Sequence, residues 1–154
     1  MPPRMRFAEL YEAGDQWLAD CSPRPDLVRT VWDVEALAPI ACGPHWLAAE
    51  THLVTGMQML NRIGEERRGP VLADPSLDRA WWLVPPAAAE ELADVRSVLV
   101  HRTGHVLHCP PTGWHACGRF WLSRPDGTGL LTDPTVLTAA LRLGGYRLPT
   151  EATP

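Results

Sequence analysis

The stretch Val98–Pro134, VLVHRTGHVLHCPPTGWHACGRFWLSRPDGTGLLTDP, decides how the rest of the chain is read. It carries four of the six histidines, two of the four cysteines and two of the seven tryptophans. Turn residues cut it into three apolar runs. Val98–His101 and His105–Cys109 flank the Arg102-Thr103-Gly104 link, and Arg119–Leu122 follows the turn at Pro110–Gly113. Consecutive runs joined by short turns predict a meander. Pro125-Asp126-Gly127 ends it, and Thr132-Asp133-Pro134 opens a helix with Asp133 at the N-cap and Pro134 at the first position. That helix is expected to run through Leu137, Ala140 and Leu141 to a stop at Gly144-Gly145, with the tail loose from Pro149.

Upstream, Phe7, Leu10, Tyr11, Ala13, Trp17 and Leu18 recur at helical spacing, predicting a helix over about residues 5–20. Ser22-Pro23 breaks it, and Pro25 starts a second helix bearing Leu27, Val28, Val31 and Trp32. Leu37–Cys42 reads as a strand, Gly43-Pro44 as a turn, and His45–Thr51 as the return strand. His52–Arg68 reads as a helix with Leu53, Met57, Leu60 and Ile63 on its apolar face and Arg62, Glu65, Glu66, Arg67 and Arg68 opposite. Gly69-Pro70 stops it. Val71–Ala73 and Ala80–Val84 are strands around the Asp74–Asp78 turn, and Pro85-Pro86 leads into a short helix at Ala87–Leu92. Strands with interspersed helices predict an α+β fold of small mixed or antiparallel sheets with packed helices.

The chain has 154 residues, enough for one domain that buries roughly 70% of its unfolded surface. We assign residues 1–150 to that domain and residues 151–154 to a tail. All 14 basic residues are arginine, which fits a genome rich in G and C, such as an actinobacterial one. The net charge of −4 gives no global field for nucleic acid, leaving local arginine patches as the means of attraction. No apolar run reaches the roughly 18 residues of a membrane span, and the N-terminus has no apolar signal core, so a cytoplasmic protein with reduced cysteines is expected.

At Ile40-Ala41-Cys42-Gly43-Pro44 the chain begins to resemble a known family. The helix with Trp32, the strand ending in Cys-Gly-Pro, then GPVLAD (69–74), WWLVPP (81–86), GHVLHCPP (104–111) and RFWLSRPDG (119–127) follow the order of the N-terminal domain of bifunctional DNA primase/polymerases. The pattern is more similar still to short actinobacterial proteins carrying a reduced version of that domain. Gly56, Leu60 and Ile63, then Leu83–Pro86, Gly104 and Leu131–Pro134 stand at the matching positions. The resemblance spans about residues 15–145 and rests on the order of its motifs, and it implies a primase–polymerase-like core.

The departures bear on activity. The resemblance implies two divalent cations held by carboxylates, because charge develops on a transferring phosphoryl group. Where an Asp-x-Asp pair is expected, the chain has Ala48-Ala49-Glu50-Thr51-His52-Leu53, so Glu50 is a lone acid. Arg79-Ala80-Trp81 stands in place of the catalytic histidine, and Leu99-Val100-His101 in place of the third acid. Glu50 and His52 are the catalytic candidates that remain, and fold likeness does not carry the activity across.

Other constellations admit both a functional and a blander role. His101, His105, His108, Cys109, His115 and Cys117 offer imidazole and thiolate donors, for which zinc is the fitting metal, although strand alternation sets His105 and His108 on opposite faces and no known zinc spacing is matched. Their blander role is solvated or hydrogen-bonded imidazoles and small buried thiols. Cys109 and Cys117 would bridge only if their Cα atoms lie within about 7 Å. There is no Gly-x-Ser-x-Gly elbow, and Cys42 beside His45 reads as a strand end. Trp81 and Trp82 point to opposite faces of one strand, so one is expected inside and one facing out. Trp114 sits on a turn. With Arg102, Arg119 and Arg124 nearby, exposed tryptophans would stack bases and contact phosphates.

The sequence therefore points to a non-catalytic accessory or regulatory protein of DNA replication, built on a primase–polymerase-like domain. It would bind a protein or nucleic-acid partner through Trp81, Trp82, Arg102, Trp114, Arg119 and Arg124, with no cofactor implied. Three alternatives stand beside it: a single-stranded nucleic-acid-binding module; a residual nucleotidyltransferase or zinc protein using the His101–Cys117 cluster; and a homo-oligomer with Trp81 or Trp82 at the contact.

Overall fold

The computed structural model describes the backbone of residues 3–142 and the side chains of residues 9 and 11–142. The expected roles of Phe7 and Leu10, the Gly144-Gly145 stop and the tail lie outside those residues. In chain order the elements are α1 (Pro3–Asp20), α2 (Pro25–Asp33), β1 (Ala38–Ala41), β2 (Leu47–His52), α3 (Leu53–Arg62), β3 (Val71–Asp74), β4 (Arg79–Val84), α4 (Ala88–Glu91), β5 (Leu99–His101), β6 (Val106–Cys109) and β7 (Phe120–Ser123). A last helix, α5, occupies residues 134–142 of the described chain. The fold is α+β, as expected, with every strand pair antiparallel.

The strands form a five-stranded sheet in the order β5-β2-β4-β3-β7 and a separate β1–β6 ribbon. This corrects two expectations. The Val98–Leu122 runs are not a meander: β5 and β7 lie at opposite edges of the large sheet, and β6 leaves it to pair with β1. Nor do β1 and β2 form a hairpin, since β2 sits between β4 and β5. The link at Arg102–Gly104 is short, but it crosses between sheets: Gly104 N–H donates to Cys42 O at 2.8 Å and Cys42 N–H to His105 O at 2.7 Å, drawing the chain onto β1. The hairpin that local pattern did announce, β3–β4 around Asp74–Asp78, is present in register Asp74↔Arg79 to Val71↔Trp82.

Alternation divides the large sheet into two faces. Thr51, Ala80 and Trp82 point to the face under α3, where Gly56 comes so close that a Cβ would lie 2.9 Å from Ala80 Cβ and 3.1 Å from Thr51 Oγ1. Gly56 and Met59 form the buried side of α3, Ile63 is buried just past its end, and Met57, expected inside, is exposed. The helix stops at Arg62 instead of Arg68 because Ile63 turns extended (φ −104°, ψ 123°) to bury its side chain. Arg68 then folds back and donates to Leu60 O at 2.9 Å and Ile63 O at 3.4 Å, satisfying carbonyls at the helix end. Arg62 donates to Ala140 O at 3.1 Å, tying α3 to α5. The helix start at Asp133 is as expected, with Thr135 N–H donating to Asp133 Oδ1 at 2.7 Å.

The opposite face carries Glu50 and His52 of β2, Arg79 and Trp81 of β4, Asp74 of β3 and His101 of β5. The β1–β6 ribbon approaches from this side. Trp121 Nε1 donates to Pro110 O at 3.0 Å, and Trp32 Nε1 on α2 donates to Cys109 O at 2.9 Å, closing the layer with two buried indoles.

Candidate functional site

The β2–β4 register sets Glu50 opposite Trp81 and His52 opposite Arg79, and the β2–β5 register sets His101 beside Ala48. These side chains meet. Glu50 Oε1 accepts from Trp81 Nε1 at 2.9 Å and from His101 Nε2 at 2.9 Å, and Arg79 Nε stands 3.3 Å from Glu50 Oε2. The contact with Glu50 assigns the proton of neutral His101 to Nε2 and leaves Nδ1 as its basic nitrogen. Burial pushes the Glu50 carboxyl up, but the hydrogen bonds from His101 and Trp81 and the charges of His101 and Arg79 outweigh it, and the carboxyl is held below its ordinary value. The His101 ring is stacked on His105 with centroids 3.9 Å apart and planes at 11°. His105 is exposed, yet it is disfavoured as a cation, first by partial desolvation and then by the charge of His101.

His52 extends the cluster outward. Its Nδ1 lies 3.1 Å from Arg79 and 3.3 Å from Asp78 Oδ2. One ring nitrogen cannot serve both neighbours at once: unprotonated it accepts from Arg79, and protonated it donates to Asp78. The sequence reading missed Arg79, Asp78 and Asp74 as members of this face. Arg79 was legible in principle, since the alternation that pairs Trp81 with Glu50 also pairs Arg79 with His52.

A second constellation adjoins the first. Asp74 Oδ2 accepts from Arg119 Nε at 2.9 Å, and Asp74 Oδ1 accepts from Ser76 at 2.6 Å. The Arg119 guanidinium lies 4.6 Å over the Trp81 ring and donates to His108 O at 2.8 Å. Burial raises the Asp74 pKa, but the Ser76 and Arg119 hydrogen bonds, with the Leu77 amide and the Arg119 charge, bring it below the ordinary range. Arg119 is therefore a clamp joining β3, β4 and β6 through a buried ion pair, which corrects its assignment to partner binding.

The remaining candidates are dispersed. Trp81 and Trp82 are both buried, at 5% and 0% exposure, so neither presents a ring to a partner or an oligomeric contact in this structure. Both lie inward because the ribbon and Arg119 cover one face of β4 while α3 covers the other. Cys109 is fully buried with its thiol toward Leu107 O, and burial pushes that thiol far up, whereas a metal takes the thiolate. Cys117 is exposed on a turn at φ 51°, and all four cysteines are free thiols. Among the described residues no three His, Cys, Asp or Glu side chains are placed to share a metal ion, so His101, His105, His108, Cys109, His115 and Cys117 do not make the zinc set considered from sequence. Arg102 is exposed in the link before β6.

Trp114 is the exposed tryptophan, at 66%. It borders an open cleft of about 450 Å³ with His115, Phe120, Trp121 and Arg124. Arg124 is oriented by its bond to Thr112 O at 3.2 Å and lies 5.3 Å over the Tyr11 ring. The cleft thus offers two partly free aromatic faces and a positioned guanidinium.

The divalent pair implied by the family resemblance does not fit these residues. Asp74 is consumed by Arg119 and Ser76, and Glu50 by His101, Trp81 and Arg79, so each acid already neutralises a protein donor instead of presenting free oxygens to a cation. No protein-family model, no curated protein and no solved structure matches this chain. No described helix is long and apolar enough to cross a membrane.

Proposed function

We propose that this chain is a non-catalytic accessory or regulatory module on a primase–polymerase-like scaffold, working in the cytoplasm by binding a partner at the Trp114 cleft. The observation that carries the first half is the engagement of Glu50: both of its oxygens face protein donors, at 2.9 and 3.3 Å. An acid held in this way orients an imidazole and a guanidinium; it does not replace the carboxylate cage that phosphoryl transfer needs. In template-directed synthesis with all four deoxynucleotides and Mn²⁺, the purified chain is expected to form no product. Extension that disappears in Glu50→Ala would overturn the reading.

The partner favoured by the cleft is single-stranded nucleic acid. Trp114 and Phe120 provide sequence-tolerant stacking surfaces, worth about 1–3 kcal/mol per base, and Arg124 stands beside them. Titrating an unstructured oligonucleotide should quench Trp114 fluorescence with an affinity that falls as salt rises. Trp114→Ala should remove most of that binding while leaving the melting temperature unchanged. Equal binding by the variant would exclude this cleft, and a protein ligand would then be the occupant to seek.

A further inference from the structure

The His101–His105 stack joins two parts of the fold that share no strand pairing. His101 ends β5 in the large sheet, whereas His105 stands at the entry to β6 of the ribbon, and three residues of sequence, Arg102-Thr103-Gly104, lie between them. Among the described residues, the charged and titratable groups acting on the pair are Glu50 from β2, bonded to His101, and His108 on β6, with Arg102 in the link; Arg79 from β4 stands against Glu50, and His52 and Asp78 follow beyond Arg79. A single carboxylate, Glu50, directly contacts the stack, and it bonds to one ring, His101. We propose that this stack is a proton-sensitive latch between the two sheets: it closes with at most one proton, held by His101 against Glu50, and parts when a second proton arrives.

The physical reason is geometric. Parallel imidazoles with centroids 3.9 Å apart stack well when at least one ring is neutral. Two imidazolium rings at that spacing repel, and the repulsion grows as the local dielectric falls below that of water. Glu50 neutralises only the first charge. The second falls on His105, an exposed ring whose charging is opposed by partial desolvation and by His101, with His108 adding a like charge and Glu50 offsetting only part. The path of release is short. Cys42 N–H donates to the carbonyl of His105 itself, and Gly104 N–H donates to Cys42 O, so a parting of the rings that carries the link's backbone with it, instead of turning the His105 side chain alone, breaks the two bonds that seat the link on β1. Because an ordinary imidazole changes charge near the physiological range, such a latch would respond to acid.

The experiment uses the full chain. Imidazole nitrogen–proton correlation spectra, recorded from about pH 8 down to about pH 4, follow His105, and backbone amide exchange, corrected for intrinsic rates, follows Gly104 and Cys42. In the unaltered protein His105 is expected to titrate below an ordinary imidazole, and protection of the two amides should fall in the same step. His101→Gln should move the His105 midpoint upward, and His105→Gln should abolish the pH-dependent step at Gly104 and Cys42. Should His101→Gln fail to fold, the exposed His105→Gln decides alone, because its replacement disturbs no core contact. An ordinary His105 midpoint, or amide protection that is flat through its titration, would overturn the proposal. None of these readouts depends on ligand binding at Trp114, so the latch and the proposed function fail separately.

Discussion

At the residue scale, the chain uses two carboxylates to organise one face of its sheet, each answering a different arginine. Asp74 and Arg119 are the more buried pair, with side-chain exposures of 6% and 14%. Removing one partner leaves an uncompensated buried charge, which costs about 3–5 kcal/mol. Arg119→Ala should therefore lower the stability measured by urea unfolding by roughly that amount, with the loss of the Trp81 stacking and the His108 bond included. A loss below about 1 kcal/mol would class the pair with ordinary surface ion pairs. The cysteines divide as sharply. Cys117 is exposed, and Cys21, Cys42 and Cys109 are buried, with burial pushing each of those three thiols up. A thiol-specific reagent at neutral pH should modify one cysteine per native chain and all four once the chain is unfolded.

At the element scale, α3 lies against the sheet only because residue 56 has no side chain. A Cβ there would meet Ala80 Cβ at 2.9 Å and Thr51 Oγ1 at 3.1 Å, and Trp82 Nε1 lies 3.7 Å away. Alanine is the better helix former by roughly 1 kcal/mol, yet the overlap with strand β4 should outweigh that gain. Gly56→Ala is expected to destabilise by about 1–3 kcal/mol in thermal or denaturant unfolding, and any stabilisation would show that α3 shifts freely on the sheet. The same close approach explains why Met57 is exposed. The helix turns Gly56 and Met59 inward, and Met57, one position away, falls outside. Strand order shows the same dependence on remote partners. The β3–β4 hairpin follows from alternation and a turn at Asp74–Asp78, but no local pattern says that β6 will leave its sequence neighbours for β1.

At the scale of the whole molecule, acid should weaken the fold in two stages. His105 is held as a weaker base than an ordinary imidazole. The unfolded chain therefore takes its proton first, and stability falls as pH drops below about 6.5 toward the lower folded value. Glu50 and Asp74 have carboxyls below their ordinary values, so the stability they contribute is present above the unfolded carboxylate range and is lost as pH falls through the folded values. Asp15 has the opposite sign: its buried carboxyl is raised, despite the bond from Thr112 N–H, and it offsets part of the second stage as it takes up its proton. Unfolding free energies measured across pH should show a first decline that vanishes in His105→Gln and a second that remains. A profile flat down to the carboxylate range would contradict the stack as drawn.

How much of this was legible in the chain follows from the range of each interaction. Hydrophobic period, Pro25 and Asp133 announced the helices α1, α2 and α5 and the α+β class, because helix starts and amphipathic faces are set by neighbours within a few residues. The clustering of histidines in Val98–Pro134 drew attention to His101 and His105, and Glu50 and His52 were singled out by standing where the family resemblance implies a pair of acids. Tertiary structure alone decided that Glu50 meets His101, that Arg119 clamps the sheets instead of facing a partner, and that Trp81 and Trp82 are both covered while Trp114 stays open. Those outcomes turn on which strands pair across tens of residues and which layer covers each face. Such pairing is chosen by burial summed over the whole fold, a quantity that no single stretch contains.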